Sequence, residues 1–451
     1  MTQGAEPGSG FQWPEVLCAP VRELSDHSRL WVALSGGLDS TLLLHLAVHC
    51  HGGPGVVRAV HVNHQLQPNA SEAEAFCRDL CSRLGVPLVV ERVTVAGGDN
   101  PDNVGGLEEA ARTERYSVFE ALMQPRDLLL MAHHGDDQSE TVLFRMLRGS
   151  GVRGLAGMPS RRDLGAGVLV RPLLGFGRLE LERWARSAGL SWVDDPSNTD
   201  ERFDRNFLRH QVLPRLRQRW PGLDRRLRHT AEACAESEAL NRKLAELQWH
   251  TLGGERDRLP VSGLREMSLA EQKNLVRWWI RARGFHAPSI GDWRQVMQDL
   301  LFAGEDREPE FRSGGFSLRR FQGDLYLVPD REALPDSPVT LKPGLVRSWG
   351  EWSLRLEPAH TPKESLPPIR VSTRQGGERV RLRTGSPSRP LKKWLQEQGV
   401  PPWERARLPL VFAGSGSAEE LIAIGDLWCS EQYSEGAHAA RWRLVVRREF
   451  D

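Results

Sequence analysis

Short apolar runs alternate with amphipathic stretches over the first third of the chain. The apolar runs have the length of buried strands and lie at 30–35, 56–64, 87–95 and 127–134. The stretches that follow them carry apolar residues at helical spacing and lie at 39–50, 71–85, 107–123 and 136–149. Strands that alternate with helices of this length are typical of βαβ units. The pattern therefore predicts an α/β fold with a parallel sheet and right-handed crossovers.

The pattern changes beyond residue 207. Two long helices and a hairpin are predicted, at 223–250, 268–284 and 315–329. Seven prolines between 330 and 369 predict a linker with few long elements. The remaining residues mix short strands with a short basic helix at 389–399. The last part of the chain is therefore expected to be a small α+β domain.

The chain has 451 residues, which is too many for one compact core. We expect a flexible lead, a parallel-sheet domain, a mainly helical domain, a linker and a small basic α+β domain. Their predicted bounds are 1–20, 21–215, 216–330, 331–369 and 370–451. The division places all four predicted βαβ strands in one domain.

Composition narrows the class of protein. No apolar run reaches the ~18 residues of a membrane-spanning helix, so we expect no contact with a membrane. The N-terminus lacks the basic and apolar regions of a secretion signal. The six cysteines form no CxxC pair, which is typical of reduced thiols. These features predict a cytoplasmic protein.

The net charge of +1 conceals two basic islands. Residues 202–228 carry nine Arg against two Asp, and residues 370–407 carry ten Lys or Arg against three Glu. Basic islands on an acidic background predict a polyanionic partner that is held at separate places. Solvated helix faces are the alternative explanation of both islands.

The first predicted strand and helix flank a hexapeptide that reads Ser35, Gly36, Gly37, Leu38, Asp39 and Ser40. The glycines let the backbone turn tightly, so that its amides and the helix N-terminus can bind phosphate. A carboxylate beside phosphates needs a divalent cation between them, so Asp39 indicates Mg²⁺. The hexapeptide predicts a nucleotide site, and a helix N-cap at Asp39 or Ser40 is the alternative.

A second polar stretch begins where the fourth predicted strand ends. In a parallel sheet it lies at the same edge as the hexapeptide. His133 and Asp137 are one helical turn apart, and Glu140 follows three residues later. Two carboxylates and an imidazole at the start of a helix can bind Mg²⁺ or move a proton. Helix capping is the alternative for the two carboxylates.

The hexapeptide resembles the SGGxDS loop of the PP-loop ATP pyrophosphatases, whose fold is adenine nucleotide alpha-hydrolase-like. Further stretches resemble the tRNA(Ile)-lysidine synthetase family within that superfamily. They are GLEEAARTERY at 106–116, MAHHGDDQSETVLFRMLRGSGVRGLAGM at 131–158, DDPSNTDERFDRNFLRHQVLP at 194–214 and RPLKKWLQEQGVPPWERARLPLVF at 389–412. The resemblance is weaker between about 240 and 365 and excludes the lead.

The resemblance implies a ligase that joins free L-lysine to C2 of the wobble cytidine in tRNA(Ile) with a CAU anticodon. ATP first adenylates the C2 oxygen and releases pyrophosphate. The lysine amine then attacks C2 and AMP leaves, which gives lysidine. The implied requirements are ATP, Mg²⁺, L-lysine and the tRNA, and a homodimer is an assembly that the sequence leaves open.

The resemblance also assigns roles to residues. Those assigned to catalysis are Asp39, His133, Asp137 and Glu140, of which Asp39 and Asp137 are also the metal ligands. Those assigned to ATP are the six residues of the loop and Arg112. Those assigned to tRNA are Arg115, Arg145, Arg148, Arg205, Asn206, Arg209, Lys392, Lys393, Trp394 and Arg405. Surface charge is the alternative for the helical arginines, and burial in the core of the small domain is the alternative for Trp394.

Three other classes fit the sequence less well. A PP-loop tRNA thiolase usually has paired cysteines, and the chain has no CxxC. A glutamine-dependent synthetase needs a glutaminase domain with a nucleophilic cysteine, and Cys18 has no room ahead of it for one. A noncatalytic tRNA-binding protein would be expected to lose Asp39, Ser40 or Glu140, and all three are present. A lysidine-forming ligase is therefore the preferred interpretation.

Overall fold

The computed structural model describes residues 11–52, 55–65, 70–94, 104–194, 200–288, 290–304, 307–358, 367–383, 385–416, 419–434 and 442–449. The DPSN motif at 195–198 and the first ten residues of the predicted lead lie outside these ranges. The chain forms two compact units, Met1–Asn241 and Arg242–Asp451. None of the helices in the described ranges has the length and hydropathy needed to cross a bilayer.

The first unit contains a six-stranded sheet and the helices that cover it. The strands are β1 (Arg29–Ala33), β2 (Val57–Asn63), β3 (Leu88–Arg92), β4 (Asp127–Leu130), β5 (Arg161–Leu164) and β6 (Gly167–Val170). The helices are α1 (Glu15–Arg22), α2 (Leu38–His51), α3 (Ala70–Arg83), α4 (Val104–Leu122), α5 (Gly135–Leu147), α6 (Val152–Leu155), α7 (Arg178–Ser187), α8 (Asp204–Phe207) and α9 (Leu213–Arg219). A π-helix, Leu208–Val212, lies between α8 and α9.

The sheet has the order β3-β2-β1-β4-β6-β5, and all pairs are parallel except β5 with β6. The predicted parallel sheet is therefore confirmed, and the hairpin of β5 and β6 extends it. β1 pairs with β2 on one side and with β4 on the other. The chain thus changes direction across the sheet at β1, and ligands of such sheets bind at this switch point. The loops that follow β1 and β4 meet there.

The core of this unit begins earlier in the chain than predicted. Leu17, Cys18 and Val21 on α1 are buried in the same core as Leu43 and Leu46 on α2. The flexible lead predicted for residues 1–20 is therefore wrong for the part that α1 occupies. The apolar positions of α1 have helical spacing, but the helix is short and contains a proline, which weakens its pattern in the sequence.

The long helix α10 (Leu223–Thr251) begins in the first unit and ends in the second. The first part of the second unit continues with α11 (Val261–Glu266), α12 (Leu269–Ala282) and α13 (Trp293–Phe302). These helices accompany an antiparallel sheet of the order β7-β10-β9-β8, formed by β7 (Arg258–Pro260), β8 (Glu310–Ser313), β9 (Phe316–Phe321) and β10 (Asp324–Pro329). The predicted hairpin corresponds to β9 and β10.

The last part of the second unit consists mostly of strands. They are β11 (Val339–Leu341), β12 (Val346–Trp349), β13 (Trp352–Pro358), β14 (Ile369–Ser372), β15 (Arg379–Val380), β16 (Arg389–Pro390), β17 (Leu410–Ala413), β18 (Glu420–Ile424), β19 (Trp428–Cys429) and β20 (Trp442–Arg448). Two short helices, α14 (Leu391–Glu397) and α15 (Pro402–Arg405), complete it. β13 pairs with β20 along seven residues.

The linker predicted for residues 331–369 is wrong, because this segment contributes to the C-terminal core. Trp349, Trp352 and Leu354 are buried in that core. Glu351, in the turn between β12 and β13, accepts hydrogen bonds from Arg331 and Arg407. The prolines mark turns and strand ends within a domain here, whereas the sequence analysis interpreted them as a tether between domains.

Replacing Leu354 by Ala tests this correction. Leu354 is fully buried, so its truncation is expected to lower the free energy of unfolding by about 2–5 kcal/mol. Leu345 precedes β12 and is 49% exposed, so Leu345→Ala is expected to change the free energy of unfolding by less than ~0.5 kcal/mol. Urea unfolding followed by tryptophan fluorescence measures both variants. Equal, small effects of the two substitutions would mean that the segment is a linker after all.

Candidate active site

The loop between β1 and α2 turns sharply at Gly36, which has a φ of +87°. A Cβ atom at this position would lie 3.3 Å from the Cys77 sulfur and 3.5 Å from the Ala73 carbonyl oxygen. The Gly36 carbonyl also accepts the backbone N–H of Val193 at 3.0 Å. Glycine is therefore required both by the left-handed backbone and by the close packing behind the loop.

The two serines of the loop stabilise it by hydrogen bonds within the loop. The hydroxyls of Ser35 and Ser40 lie 2.9 Å apart, and the Ser35 N–H donates to the Ser40 hydroxyl at 3.1 Å. Ser40 donates in turn to the Gly37 carbonyl at 3.1 Å. Ser35 is exposed at the surface of the loop, whereas Ser40 is buried. The Leu38 side chain belongs to the core, so its assignment to ATP holds at most for its backbone.

His134 connects this loop to the start of α5. It is the N-cap of α5, where its backbone N–H donates to Asp137 Oδ2 at 2.9 Å and its Nδ1 accepts from the Asp137 N–H. Its Nε2 lies 3.4 Å from Asp137 Oδ2 and 3.7 Å from Asp39 Oδ2. The structure therefore brings Asp39 and Asp137 together, as predicted, around a histidine that the sequence analysis did not select.

Helix capping, the alternative explanation of the two carboxylates at the start of α5, is partly correct. Asp137 does cap α5, but its partner in the capping box is His134 and not Glu140. The sequence contains a signal for His134 as the N-cap, because His134 directly precedes α5 and its acidic first turn. His133 was selected in its place because it lies one helical turn from Asp137.

Asp39 is the carboxylate nearest to the loop. Burial raises the pKa of Asp39, although His134 and Arg178 favour its charged form. Oδ2 contacts Arg178 Nη1 at 3.3 Å, while the buried Oδ1 has no hydrogen-bond partner. No cluster of three or more His, Cys, Asp or Glu able to hold a metal alone occurs in the described ranges. The unsatisfied Oδ1 fits a Mg²⁺ ion that also takes phosphate and water oxygens as ligands.

Arg209 binds the other two carboxylates. Its Nε donates to Glu140 Oε1 at 2.6 Å, and its Nη2 donates to Glu140 Oε2 at 3.0 Å and to Asp137 Oδ1 at 2.9 Å. The residue lies in the π-helix, a geometry that is frequent at functional sites. The sequence analysis assigned Arg209 to tRNA, but its guanidinium is directed into the carboxylate cluster. Both carboxylates are therefore compensated when no substrate is bound.

The carboxylates paired with Arg209 differ in their acidity. For Asp137, burial acts to raise the pKa, but the nearby His134 and His133 bring the net pKa below its ordinary value. For Glu140, burial dominates and raises the pKa despite the hydrogen bond from Arg209. Glu140 is thus the more ready of the two to accept a proton.

The His133 ring is neutral in this environment and accepts a hydrogen bond. Burial, together with Arg171, Arg115 and Arg112, lowers its pKa to about 3, although Asp137 acts to raise it. Its Nδ1 accepts from Arg171 Nε at 3.2 Å, so the proton of the neutral ring resides on Nε2. The proton relay that the sequence analysis considered for His133 is not supported by this environment.

Arginines surround His133 and the neighbouring Tyr116. The guanidinium carbons of Arg112 and Arg162 lie 4.9 and 4.8 Å from the centre of the Tyr116 ring. Although burial acts to raise the pKa of Tyr116, these arginines and Arg171 bring it below its ordinary value. Arg112, assigned to ATP from the sequence, therefore belongs to a positive cluster next to the loop and α5.

Several residues assigned to tRNA in this unit have structural partners. Arg145 donates to the carbonyls of Gly154 and Gly157 at 3.0 and 2.7 Å, and Asn206 donates to the Asp200 carbonyl at 2.9 Å. These donors stabilise backbone, so the assignment of Arg145 and Asn206 to phosphate contacts is not supported. The exposed Arg148 and the half-buried Arg205 and Arg115 remain candidates for tRNA.

The residues of the second unit that are predicted to contact tRNA are also partly exposed and partly engaged in structural contacts. Lys392 and Lys393 are exposed on α14, whereas Trp394 is only 4% exposed and belongs to the core. Trp394 therefore cannot stack on a nucleotide base, and its assignment to tRNA is wrong. Arg405 donates from Nε to the Val400 carbonyl at 2.6 Å, which leaves its other nitrogens for a ligand.

Gly36→Ala is expected to weaken ATP binding because the loop must shift away from Cys77 and Ala73. The positive φ costs ~1–2 kcal/mol of stability in addition. Gly55 is a matched control, since its φ is +85° and nothing lies within 4 Å of its would-be Cβ atom. Both variants should lose thermal stability through the positive φ, Gly36→Ala at least as much as Gly55→Ala, and only Gly36→Ala should lose affinity for ATP in calorimetry. Wild-type ATP affinity in Gly36→Ala would contradict the role of the loop.

The chain matches known families along most of its length. Models of a PP-loop domain, a TilS substrate binding domain and a TilS substrate C-terminal domain match residues 15–216, 259–326 and 369–446. The chain is 40% identical over 441 residues to tRNA(Ile)-lysidine synthase of Serratia proteamaculans. The aligned region covers 95% of this chain and 98% of the relative.

Two further relatives agree. The tRNA(Ile)-lysidine synthase of Pseudomonas aeruginosa is 41% identical over 431 residues, 92% of each chain. That of Coxiella burnetii is 35% identical over 444 residues, 96% of each chain. Because this similarity extends over almost the whole length of both partners, the chain belongs to the tRNA(Ile)-lysidine synthase family.

Proposed function

We infer that this chain is the ligase that joins free L-lysine to C2 of the wobble cytidine of tRNA(Ile) with a CAU anticodon. The reaction consumes ATP and gives lysidine, AMP and pyrophosphate. One observation carries this inference most directly: at the switch point of the sheet, Asp39 of the loop shares the His134 imidazole with Asp137, and Asp137 shares Arg209 with the buried Glu140. The loop suits the triphosphate, and the carboxylates suit the lysine amine.

The first step is adenylation of the cytidine. The C2 oxygen attacks the α-phosphorus of ATP, the bond to the bridging oxygen of the β-phosphate breaks, and pyrophosphate leaves. The amides of Gly36 and Gly37 and the N-terminus of α2 stabilise the negative charge that develops on the leaving group. The neutral His133 offers its Nε2–H, and Arg112 its guanidinium, to the oxygens of the α-phosphate.

Mg²⁺ is the cation that we propose for this step, with Asp39 and Asp137 as its protein ligands. The unsatisfied, buried Asp39 Oδ1 supports the proposal. When bound, the ion offsets the repulsion between these carboxylates and the phosphates.

The second step needs a neutral lysine amine. The ε-ammonium has a pKa of about 10.4 in water, so a base must take its proton. Asp137 and Glu140 bind the ammonium, and Glu140, whose pKa is raised by burial, accepts the proton. The amine attacks C2, the C2–O bond breaks and AMP leaves. Arg209 must give up part of its contact with the two carboxylates as the ammonium arrives.

The exposed basic groups supply the contacts to tRNA. Arg148, Lys392 and Lys393 are exposed and can contact phosphates, which position a nucleic acid without specifying its sequence. All six cysteines are unpaired thiols, which supports the reducing environment of the cytoplasm as the place of the reaction. A homodimer stays a prediction that light scattering on the full chain would test.

Incubation with ATP, Mg²⁺, radiolabelled L-lysine and tRNA(Ile) transcripts tests the proposed reaction. Label is expected to enter the transcript with a CAU anticodon and not the matched transcript with GAU, because the CAU transcript has cytidine at the wobble position. Scintillation counting of precipitated tRNA measures the incorporation. Absence of label from both transcripts, with a folded protein by circular dichroism, would contradict the function.

Glu140→Gln separates the two steps. The substitution removes the proton acceptor and one charge that binds ammonium, so the KM for lysine should rise by ~10-fold or more. Exchange of labelled pyrophosphate into ATP, which depends on tRNA but not on lysine, should change by less than about threefold. Glu182→Gln is the control, because Glu182 pairs with Arg186 on the exposed part of α7. An unchanged KM for lysine in Glu140→Gln would place the lysine site elsewhere.

A further inference from the structure

The start of α7 is fixed at the same edge of the sheet as the loop. Arg178, the first residue of this helix, donates its backbone N–H to Asp136 Oδ2 at 2.8 Å. Asp136 is itself held by Arg217, whose Nη2 lies 2.6 Å from Asp136 Oδ1. The backbone of Arg178 is therefore anchored to the N-terminus of α5, whatever its side chain does.

The side chain of Arg178 is held much less firmly. It contacts Asp39 Oδ2 through Nη1 at 3.3 Å, and it is 40% exposed. Charge-assisted hydrogen bonds are usually about 2.7–2.9 Å long, and Arg209 binds Glu140 through two of them at 2.6 and 3.0 Å. A guanidinium has five N–H donors, so the contact with Asp39 leaves most of the donors of Arg178 for another ligand.

The position of Asp39 indicates what that ligand is. Asp39 is in the first turn of α2, beside the loop amides that the proposed function assigns to the phosphates of ATP. A cation that binds Asp39 replaces Arg178 as its counter-ion, while the phosphates arrive within reach of the released guanidinium. The planar fork of arginine matches phosphate oxygens in a bidentate way.

We propose that Arg178 is a phosphate-binding residue that pairs with Asp39 in the free protein and binds the β- and γ-phosphates of ATP, the future pyrophosphate, once the nucleotide is bound. This inference rests on the ATP site of the proposed function. Arg178 stabilises the negative charge that moves onto the leaving group as the α–β bond breaks. It also keeps the buried Asp39 compensated before ATP arrives.

The test compares Arg178→Met, Arg178→Lys and Arg186→Met in the full chain. Arg186 is a matched control on the same helix, where it pairs with Glu182 at 2.7 Å on the exposed surface. Calorimetry with magnesium pyrophosphate and with magnesium ATP, without tRNA or lysine, measures binding directly. Arg178→Met should weaken both by ~10- to 100-fold, because a hydrogen-bonded charge pair is lost. Arg178→Lys should lose less affinity for both ligands, and Arg186→Met should bind both with the affinity of the wild type.

The steady-state constants add a second readout. Arg178→Met should raise the KM for ATP and leave the KM for lysine within about twofold, because the lysine carboxylates keep their partner Arg209. Wild-type affinity for pyrophosphate in Arg178→Met would overturn the proposal. Equal losses in Arg178→Met and Arg178→Lys, together with a lowered unfolding temperature in both, would assign Arg178 to the scaffold and also overturn it.

The outcome is separable from that of the proposed function. Pyrophosphate binding that depends on Arg178, in a protein that incorporates no lysine into either transcript, would support the role of Arg178 and reject the lysidine reaction. No binding of pyrophosphate or ATP by the folded wild type would overturn both, because the loop would then hold no phosphate.

Discussion

Three carboxylates gathered at one edge of the sheet are the constraint on which this site depends. Glu140 is buried and the side chains of Asp39 and Asp137 are only 21% and 20% exposed, so an uncompensated charge there is costly. Arg178 and Arg209 supply the compensating charge in the absence of substrates, and the His134 imidazole lies beside Asp39 and Asp137. The cluster of positive and negative groups is therefore a condition for the folded state as well as the source of the chemistry.

The topology of the sheet gathers these groups. β1 and β4 are neighbours in space although almost a hundred residues separate them in the chain, so the loop after β1 and the helix after β4 share one edge. α7 and the π-helix then bring Arg178 and Arg209 to the same edge from later parts of the sequence. Each carboxylate thus meets a cation from an element other than its own, and Arg209 serves both Asp137 and Glu140. The assembly of the site is therefore coupled to the folding of the whole unit.

The elements that form the site can be predicted from the sequence, but the pairing of their side chains cannot. The glycines of the loop and the acidic start of α5 are local signals, and the alternation of strands and helices places both at one edge. The partner of Glu140 is Arg209, and 69 residues separate the two, so no local pattern could select it among nine neighbouring arginines. The contacts of His134 with both aspartates and the place of residues 331–358 in a core were missed for the same reason, since burial and pairing across the fold decide them. Burial likewise decides for the core alternative at Trp394.

The charge balance of the site constrains how the substrates enter. In the proposed reaction, ATP brings phosphates with a divalent cation and lysine brings an ammonium, so each substrate introduces a positive group that suits a carboxylate already paired with an arginine. A guanidinium that is displaced in this way needs another anion, because an unpaired charge is costly where the dielectric constant is low. Phosphate oxygens of ATP or tRNA are the anions that arrive with the substrates. The same arginines can therefore stabilise the empty site and hold the phosphates of the occupied one.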